Sequence, residues 1–430
     1  MNYSKIVLYF NWKRITSRNK MTNIVIAGGG FGGLNAALGL EKRFKNNKDI
    51  AITLIDSRDY HLFTPNLFEV AASEEELTTV AQMKRSITLP FAEILKGKDV
   101  KFLQSGVKNI NPAKKQIELD HRQINYDYLI LALGSQSDFF NIAGAKKFAY
   151  VLKDLPDALR IRNQIEFAIQ AHKMDVSKKN IRIVVAGGGY TGVELAGELK
   201  GLVDFLAWKN QYPREKIEIE VVEGAGQLVP GFDDNLSRDA YYRLHELGIH
   251  IRLAARITDV DEHFVEFLSG DKVAYDVLVW TAGVKAQGCH MQVANLDRKG
   301  RLPVNELFQV EGRHNIFAIG DMACVMDRHG KPVPSSAQDA EGQACFIAYA
   351  LPFVIQNKKP PVPYKNKKHG FIVNVGGEWA IMSYNGFYIT GWIAYFIDKM
   401  AHLRYYASLV GWFKAIRCVI FQMEIYSRND

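Results

Sequence analysis

One arrangement of residues occurs twice in this chain and limits what it can fold into. Residues 23–27 (Asn-Ile-Val-Ile-Ala) are a short apolar run of the kind that becomes a buried parallel strand. Gly28, Gly30 and Gly33 follow in the spacing GxGxxG, then a helical stretch over 34–44, then an apolar run, 50–55, that ends on Asp56. The same order returns further along. Residues 181–186 lead into Gly187, Gly189 and Gly192, a helix is expected from Val193, and the run 217–222 ends on Glu223. Last glycine and acid are 23 residues apart in the first copy and 31 in the second. The extra length falls near 202–214, as a longer helix or an added loop. Strand, helix and parallel strand close as a βαβ unit, so two copies predict two parallel sheets and an α/β fold.

The glycines answer a specific need. The first permits a tight turn, the second lets backbone approach a pyrophosphate, and the third lets helix and strand pack closely. The helix N-terminus then offers N–H groups to the negative charge, and the acid at the next strand end accepts from ribose hydroxyls. A lone GxGxxG is weak. Here each copy lies between a strand and a helix and is followed by a strand-end acid, which predicts two dinucleotide sites. A carboxylate at Glu223 favours a free 2′-hydroxyl, hence NADH over NADPH, although Arg214 and Lys216 stand nearby.

Further runs fill in the organisation. Residues 128–134 (YLILALG) and 277–283 (VLVWTAG) match each other, and 316–321 (IFAIGD) ends in Gly-Asp. Residues 357–368, rich in Lys, Pro and Asn, read as a linker. Residues 371–380 suggest a hairpin turning at Gly376-Gly377, and from Phe387 the pattern reads as helical and aromatic.

Composition excludes several classes. The four cysteines, Cys289, Cys324, Cys345 and Cys418, include no CxxC pair, and no Cys/His cluster suggests a metal. That argues for free thiols in a reducing compartment and against a redox dithiol. The net charge of +8 belongs to the ends: +5 over 1–20 and +6 over 357–430, against −3 for the rest. No groove-reading motif accompanies it, so an anionic membrane surface fits better than nucleic acid. No segment reaches the roughly 18–20 apolar residues of a spanning helix. The N-terminus lacks the apolar stretch of a signal peptide, and the strand beginning two residues after Met21 points to Met21 as the functional start.

The motifs together resemble the type II NADH:quinone oxidoreductases, single-subunit and non-pumping, from about residue 22 to the C-terminus. The segment 28–38 (GGGFGGLNAAL) resembles that family's FAD turn, and 61–71 (HLFTPNLFEVA) its loop over the flavin. The segment 186–199 (AGGGYTGVELAGEL) is similar to its NADH turn, and 337–343 (AQDAEGQ) resembles its quinone motif. The segments 279–284 (VWTAGV) and 318–321 (AIGD) also match. Asn66 stands where an apolar residue is usual, and Ser73 where Gly is frequent.

The resemblance implies roles. Gly28, Gly30, Phe31, Gly32, Gly33, Asp56, Thr64, Pro65, Gly134, Gly320, Asp321 and Ala337 would hold FAD. Gly187, Gly189, Tyr190, Thr191, Gly192, Glu223, Ala282 and Gly283 would line the NADH site. Glu194 is either a dipole-stabilising acid in the first helical turn or a group near the isoalloxazine that moves protons to quinone. Gln338 either bonds a quinone carbonyl or is a surface glutamine.

The tail adds a membrane argument of its own. Phe387, Trp392, Phe396, Met400 and Leu403 recur at helical steps, as do Leu409, Trp412, Phe413, Ile416, Ile420 and Met423, with Lys399, Arg404, Lys414 and Arg417 among them. This reads as an in-plane amphipathic anchor; a domain-covering helix pair has the same periodicity.

The expectation is therefore an α/β chain of two Rossmann-like dinucleotide-binding domains with a C-terminal amphipathic helical anchor. The motifs divide it into an extension (1–20), FAD-binding parts (21–145 and 300–356), an NADH-binding domain (146–299) and a membrane-associating region (357–430). Partners would be a quinone, menaquinone or ubiquinone, and a membrane surface, with a homodimer left open. The location would be the cytoplasmic face of a bacterial inner membrane. The rivals are a sulfide:quinone oxidoreductase, which needs reactive cysteines, and a dinucleotide-sensing flavoprotein without turnover.

Overall fold

The structure is a computed structural model that describes residues 21–74, 79–174, 180–288, 291, 296–326, 330, 332–333, 336–366 and 370–426. The extension 1–20 and Cys289 lie outside the described residues. The chain divides into two compact units. The first is Met1–His61, Leu89–Gln136 and Val284–Lys368; the second is Leu62–Thr88, Ser137–Gly283 and His369–Asp430.

In the first unit a five-stranded parallel sheet runs in the order Ile316–Ala318, Tyr128–Leu131, Thr22–Ala27, Ile50–Asp56, Val100–Gln104. Ile24 lies opposite Ile52 and Tyr128, and the central strands are buried along their apolar stretches, as continuous Val/Ile/Leu runs require. The helix Phe31–Arg43 starts three residues earlier than its periodicity suggests, because Gly30 already caps it, and it packs along Ala337–Ile355. A three-stranded antiparallel sheet, Val107–Asn111, Gln116–Leu119 and Gln123–Asn125, completes this unit's core through Ile110, Ile117 and Leu119. The expected linker is not free chain. Tyr364 packs edge-on against Phe308 and Phe346, with ring centroids at 4.8 and 5.4 Å, and the Val362 N–H donates to the Tyr349 hydroxyl.

The second unit repeats the plan. Its parallel sheet is ordered Tyr150–Val151, Val277–Trp280, Ile181–Ala186, Ile217–Val222, His250–Arg252, and an antiparallel trio follows at Ile257–Val260, Phe264–Phe267 and Lys272–Ala274. The longer gap is a 20-residue helix, Tyr190–Lys209, and then a turn at Arg214–Lys216. Residues 62–88, from the stretch read as FAD-binding, cluster here because the helix Leu67–Ala71 packs on Leu155–Met174 and on Tyr190–Lys209.

The tail also clusters with this unit. The hairpin Phe371–Asn374 and Ala380–Tyr384 forms as expected, but Phe387–Gly391 is a third strand and not helix. Tyr384 pairs with Phe387 across a two-residue Asn385-Gly386 loop in which both residues have positive φ, the geometry that suits a right-twisted ribbon. The helices Trp392–Val410 and Trp412–Tyr426 follow and pack on each other. Among the described residues no helix is long and apolar enough to cross a membrane.

Candidate dinucleotide and proton-transfer sites

The first glycine turn sits at the carboxyl edge of its sheet, where open α/β sheets bind ligands. Gly28 has φ +104°, and a Cβ there would collide with the Ala132 carbonyl. A Cβ on Gly33 would fall inside the carbonyl oxygen of Gly28. Gly30 differs: a Cβ there would meet nothing within 4 Å, although the residue caps a helix. The first N–H groups of a helix have no intrahelical partner, so the turn presents donors to open space, a cradle fit for a pyrophosphate. Gly32 faces Ile319 and Ala340, which brings the Gly320-Asp321 turn beside the cradle. Asp321 is half-buried and makes no side-chain hydrogen bond or ion pair among the described residues. Gly134, with φ +75°, follows the adjacent strand, and its carbonyl accepts from the Gln287 N–H.

Asp56 takes part in the turn itself. One of its oxygens accepts the Gly29 N–H at 2.7 Å and the other the Arg58 N–H at 2.9 Å. The second unit does the same: Glu223 accepts the Gly188 N–H and the Ala225 N–H, both at 2.7 Å. Gly187 has φ +112°, and a Cβ on it would lie 2.5 Å from the Ala282 Cα. Ala282 thus lines the second turn. Gly283 packs under Phe140. Gly189 opens onto free space as Gly30 does, and Gly192 crowds the Gly187 carbonyl as Gly33 crowds that of Gly28. Thr191 is exposed. The Tyr190 ring packs edge-on against Phe232 at 4.7 Å, and burial pushes its hydroxyl pKa up.

Two supporting residues escaped sequence reasoning. His61 is buried, and its Nδ1 lies 3.0 Å from the Gly29 carbonyl. A carbonyl only accepts, so Nδ1 carries the hydrogen. Burial holds this imidazole down to about 4, so it is neutral and pins the turn as a donor. Gln343 is also buried, and its Oε1 accepts the Gly320 N–H at 2.7 Å. It is the last residue of the 337–343 motif, and its position there was the available signal. Gln338 is exposed in the first turn of Ala337–Ile355, with Ala337 half-buried before it. Thr64 is exposed and Pro65 half-buried in the short turn Thr64–Asn66 of the second unit.

Glu194 is not in the first helical turn, because the helix begins at Tyr190. The dipole reading therefore fails, and a buried cluster replaces it. Burial first, then the neighbouring Asp398 and Glu69 carboxylates, push its pKa well up against the Asn374 N–H and Lys399. Lys399, expected among outward basic residues, is buried at 4% exposure with its Nζ 2.9 Å from Glu69 Oε1. Burial opposes its charge, but Glu69, Tyr395 and Asp398 outweigh this and its pKa rises. Asn374 Nδ2 donates to Asp398 at 3.2 Å, and His402 Nε2 lies 3.4 Å from the same carboxylate.

The outer faces of the last two helices are apolar. Trp392, Phe396, Met400, Trp412, Phe413, Ile416, Ile420 and Met423 are exposed, Trp412 at 62% and Phe413 at 77%. Leu403 is half-covered and Leu409 buried, so these two face the protein. Arg404, Lys414 and Arg417 are exposed.

The chain belongs to the pyridine nucleotide-disulphide oxidoreductase family, whose model matches residues 22–344. Among its relatives are type II NADH:quinone oxidoreductases. That of Haemophilus influenzae is 30% identical over 84% of this chain and 87% of its own length. That of Staphylococcus haemolyticus is 27% identical over 89% of this chain and 94% of its own. In fold, the chain matches NDH2 from Plasmodium falciparum, solved in complex with NADH, with a TM-score of 0.82 at 22% identity, covering 95% of this chain and 99% of that one.

Proposed function

We propose that the chain is an FAD-dependent NADH:quinone oxidoreductase that works at a membrane surface without pumping protons. The observation that carries this reading is the repeated turn, in which Gly29 and Gly188 each donate an N–H to a strand-end carboxylate beside an open helix N-terminus. Two equivalent turns of this kind suit two dinucleotides. Gly28, Gly30, Phe31, Gly32 and Gly33 would hold the FAD pyrophosphate, Asp56 its ribose, and Gly134, Gly320, Asp321, Ala337, Thr64 and Pro65 its remaining length. Gly187, Gly189, Tyr190, Thr191, Gly192, Ala282 and Gly283 would hold NADH, with Glu223 on its ribose. Bound there, FAD would supply the chemistry that takes a hydride from NADH and delivers two electrons to quinone. The protein's share is to position the nicotinamide and exclude water. Desolvation and the neighbouring Asp398 and Glu69 carboxylates favour the protonated form of Glu194, which would give its proton to quinone. Gln338 would bond a quinone carbonyl.

Cys324 weighs against a sulfide-oxidising enzyme. It is buried, and burial pushes its thiol up, away from the reactive thiolate. Purified protein tests the main reading directly. It should show flavin absorbance that NADH bleaches and added quinone restores, while NADPH at equal concentration bleaches far more slowly. A flavin that NADH leaves unbleached would point to the sensor instead.

The exposed apolar faces of Trp392–Val410 and Trp412–Tyr426, flanked by Arg404, Lys414 and Arg417, fit an anionic bilayer surface and the cytoplasmic leaflet. Each large side chain moved out of water contributes about 1.5–3 kcal/mol. The triple change Trp412→Ser, Phe413→Ser, Ile420→Ser should therefore weaken binding to anionic phospholipid vesicles by at least about 100-fold. Wild-type co-sedimentation of this variant would remove these helices as the anchor.

A further inference from the structure

The cluster around Glu194 holds more acid than base. Three carboxylates, Glu69, Glu194 and Asp398, share it with one ammonium, Lys399, and one imidazole, His402. Buried charge is costly unless it is paired. Lys399 and Glu69 neutralise each other. Asp398 has the Asn374 amide and faces His402. Glu194 is favoured as a carboxylate by the backbone N–H of the same Asn374 and by a share of Lys399, against its burial and the two neighbouring carboxylates. Charge counting therefore puts the proton on Glu194, and it raises the question of how that proton is replaced.

His402 is placed to answer it. The residue is buried, with its ring edge-on to Phe63 at a centroid distance of 4.7 Å. Burial holds the imidazole down to about 4, so it is neutral. Asp398 as a carboxylate only accepts, so the Nε2 facing it carries the hydrogen. Nδ1 is then a bare acceptor, buried and without a hydrogen-bond partner among the described residues. A neutral histidine with one nitrogen on a carboxylate and the other open can take a proton on one side and release one on the other.

We infer that His402, paired with Asp398, is the station that returns a proton to Glu194 between the two protonations of quinone. This rests on the proposed role of Glu194. Quinone takes two electrons, which NADH oxidation supplies, and two protons. In the first transfer the Glu194 O–H bond breaks and one forms on a quinone oxygen. The cluster is then left with three carboxylates against one ammonium. As a proton is taken up at His402 Nδ1, the Nε2–H passes to Asp398. Asp398 hands it on to Glu194, the carboxylate to which it is electrostatically coupled. The imidazole is left as its other tautomer, which proton exchange resets. The reloaded Glu194 protonates the second quinone oxygen. Titratable groups around this pair include Lys399 on the same helix, Glu69, Glu194, and Tyr405 and Tyr406, whose rings lie 5.6 and 5.0 Å from that of Phe63.

The experiment compares two acceptors on the flavin-loaded full chain: a short-chain ubiquinone, which takes electrons and protons, and ferricyanide, which takes electrons alone. In His402→Gln the ratio of quinone to ferricyanide turnover should fall at least about tenfold. Its solvent deuterium isotope effect on the quinone reaction should rise. The quinone rate falls as rising pH removes the Glu194 proton, and slower reloading should move that fall to lower pH. Combined with Glu194→Gln, His402→Gln should add no further loss, as expected for two members of one route. A merely structural histidine would depress both acceptors alike, and an unchanged ratio overturns the inference. Glu194→Gln separates the layers. A wild-type ratio there sinks the role of Glu194 itself, whereas a reduced ratio there with none in His402→Gln sinks the station alone. If His402→Gln does not yield flavin-loaded protein, Asp398→Asn carries the same expectations.

Discussion

Glu69→Ala is expected to cost about 3–5 kcal/mol of folding stability, read as a lowered guanidinium midpoint, because it strands a buried ammonium. Lys399 and Glu69 are each about 5% exposed at the side chain, with 2.9 Å between nitrogen and oxygen. A surface pair of the same geometry would contribute about 0–1 kcal/mol, so the expected loss is itself a measure of burial. The Tyr395 ring, 4.5 Å from Lys399 Nζ, offsets only a part. The double change Glu69→Leu, Lys399→Met should recover most of the midpoint, since two apolar groups replace two desolvated charges. A Glu69→Ala midpoint within about 1 kcal/mol of wild type would mean that Lys399 is solvated, and the cluster described around Glu194 would lose its premise.

Gly30→Val should yield folded protein that has lost its flavin. The Gly30 backbone is extended, with φ −70° and ψ −166°, so a branched side chain strains nothing there. The added carbons enter the open space above the helix N-terminus. Flavin affinity should drop by roughly 100-fold or more, equivalent to about 2.8 kcal/mol, with the far-ultraviolet circular dichroism unchanged. Gly33→Val is the control of opposite kind. Its Cβ would collide with the Gly28 carbonyl, so it should fail to fold and not merely lose a ligand. Full flavin occupancy in purified Gly30→Val would remove this turn as the pyrophosphate site.

Local pattern made most of the fold legible. The strands at 181–186 and 217–222 appear residue for residue, because continuous apolar runs beside glycine turns have few alternatives. The helix starts were misplaced by three residues at Phe31 and Tyr190, since the capping glycine, and not the first leucine or valine, begins the helix. The strand at Phe387 was missed although Asn385-Gly386, the strongest short-range hairpin signal, precedes it. The inward turn of Lys399 was not legible. In a row of aromatic and basic residues, only the carboxylate of Glu69, 330 positions away, says which base is buried. For the same reason the sequence leaves Glu194 between a dipole acid and a proton-moving group, and Asp398, Glu69 and Lys399 around it favour the second.

The double duty of Glu223 limits how nucleotide preference can be redesigned. This carboxylate also ties down the N–H groups of Gly188 and Ala225. Replacing it to admit a 2′-phosphate would therefore loosen the loop that grips the rest of the dinucleotide. An engineered NADPH-using variant needs two changes at once: a cation for the phosphate, and a new acceptor for those two amides.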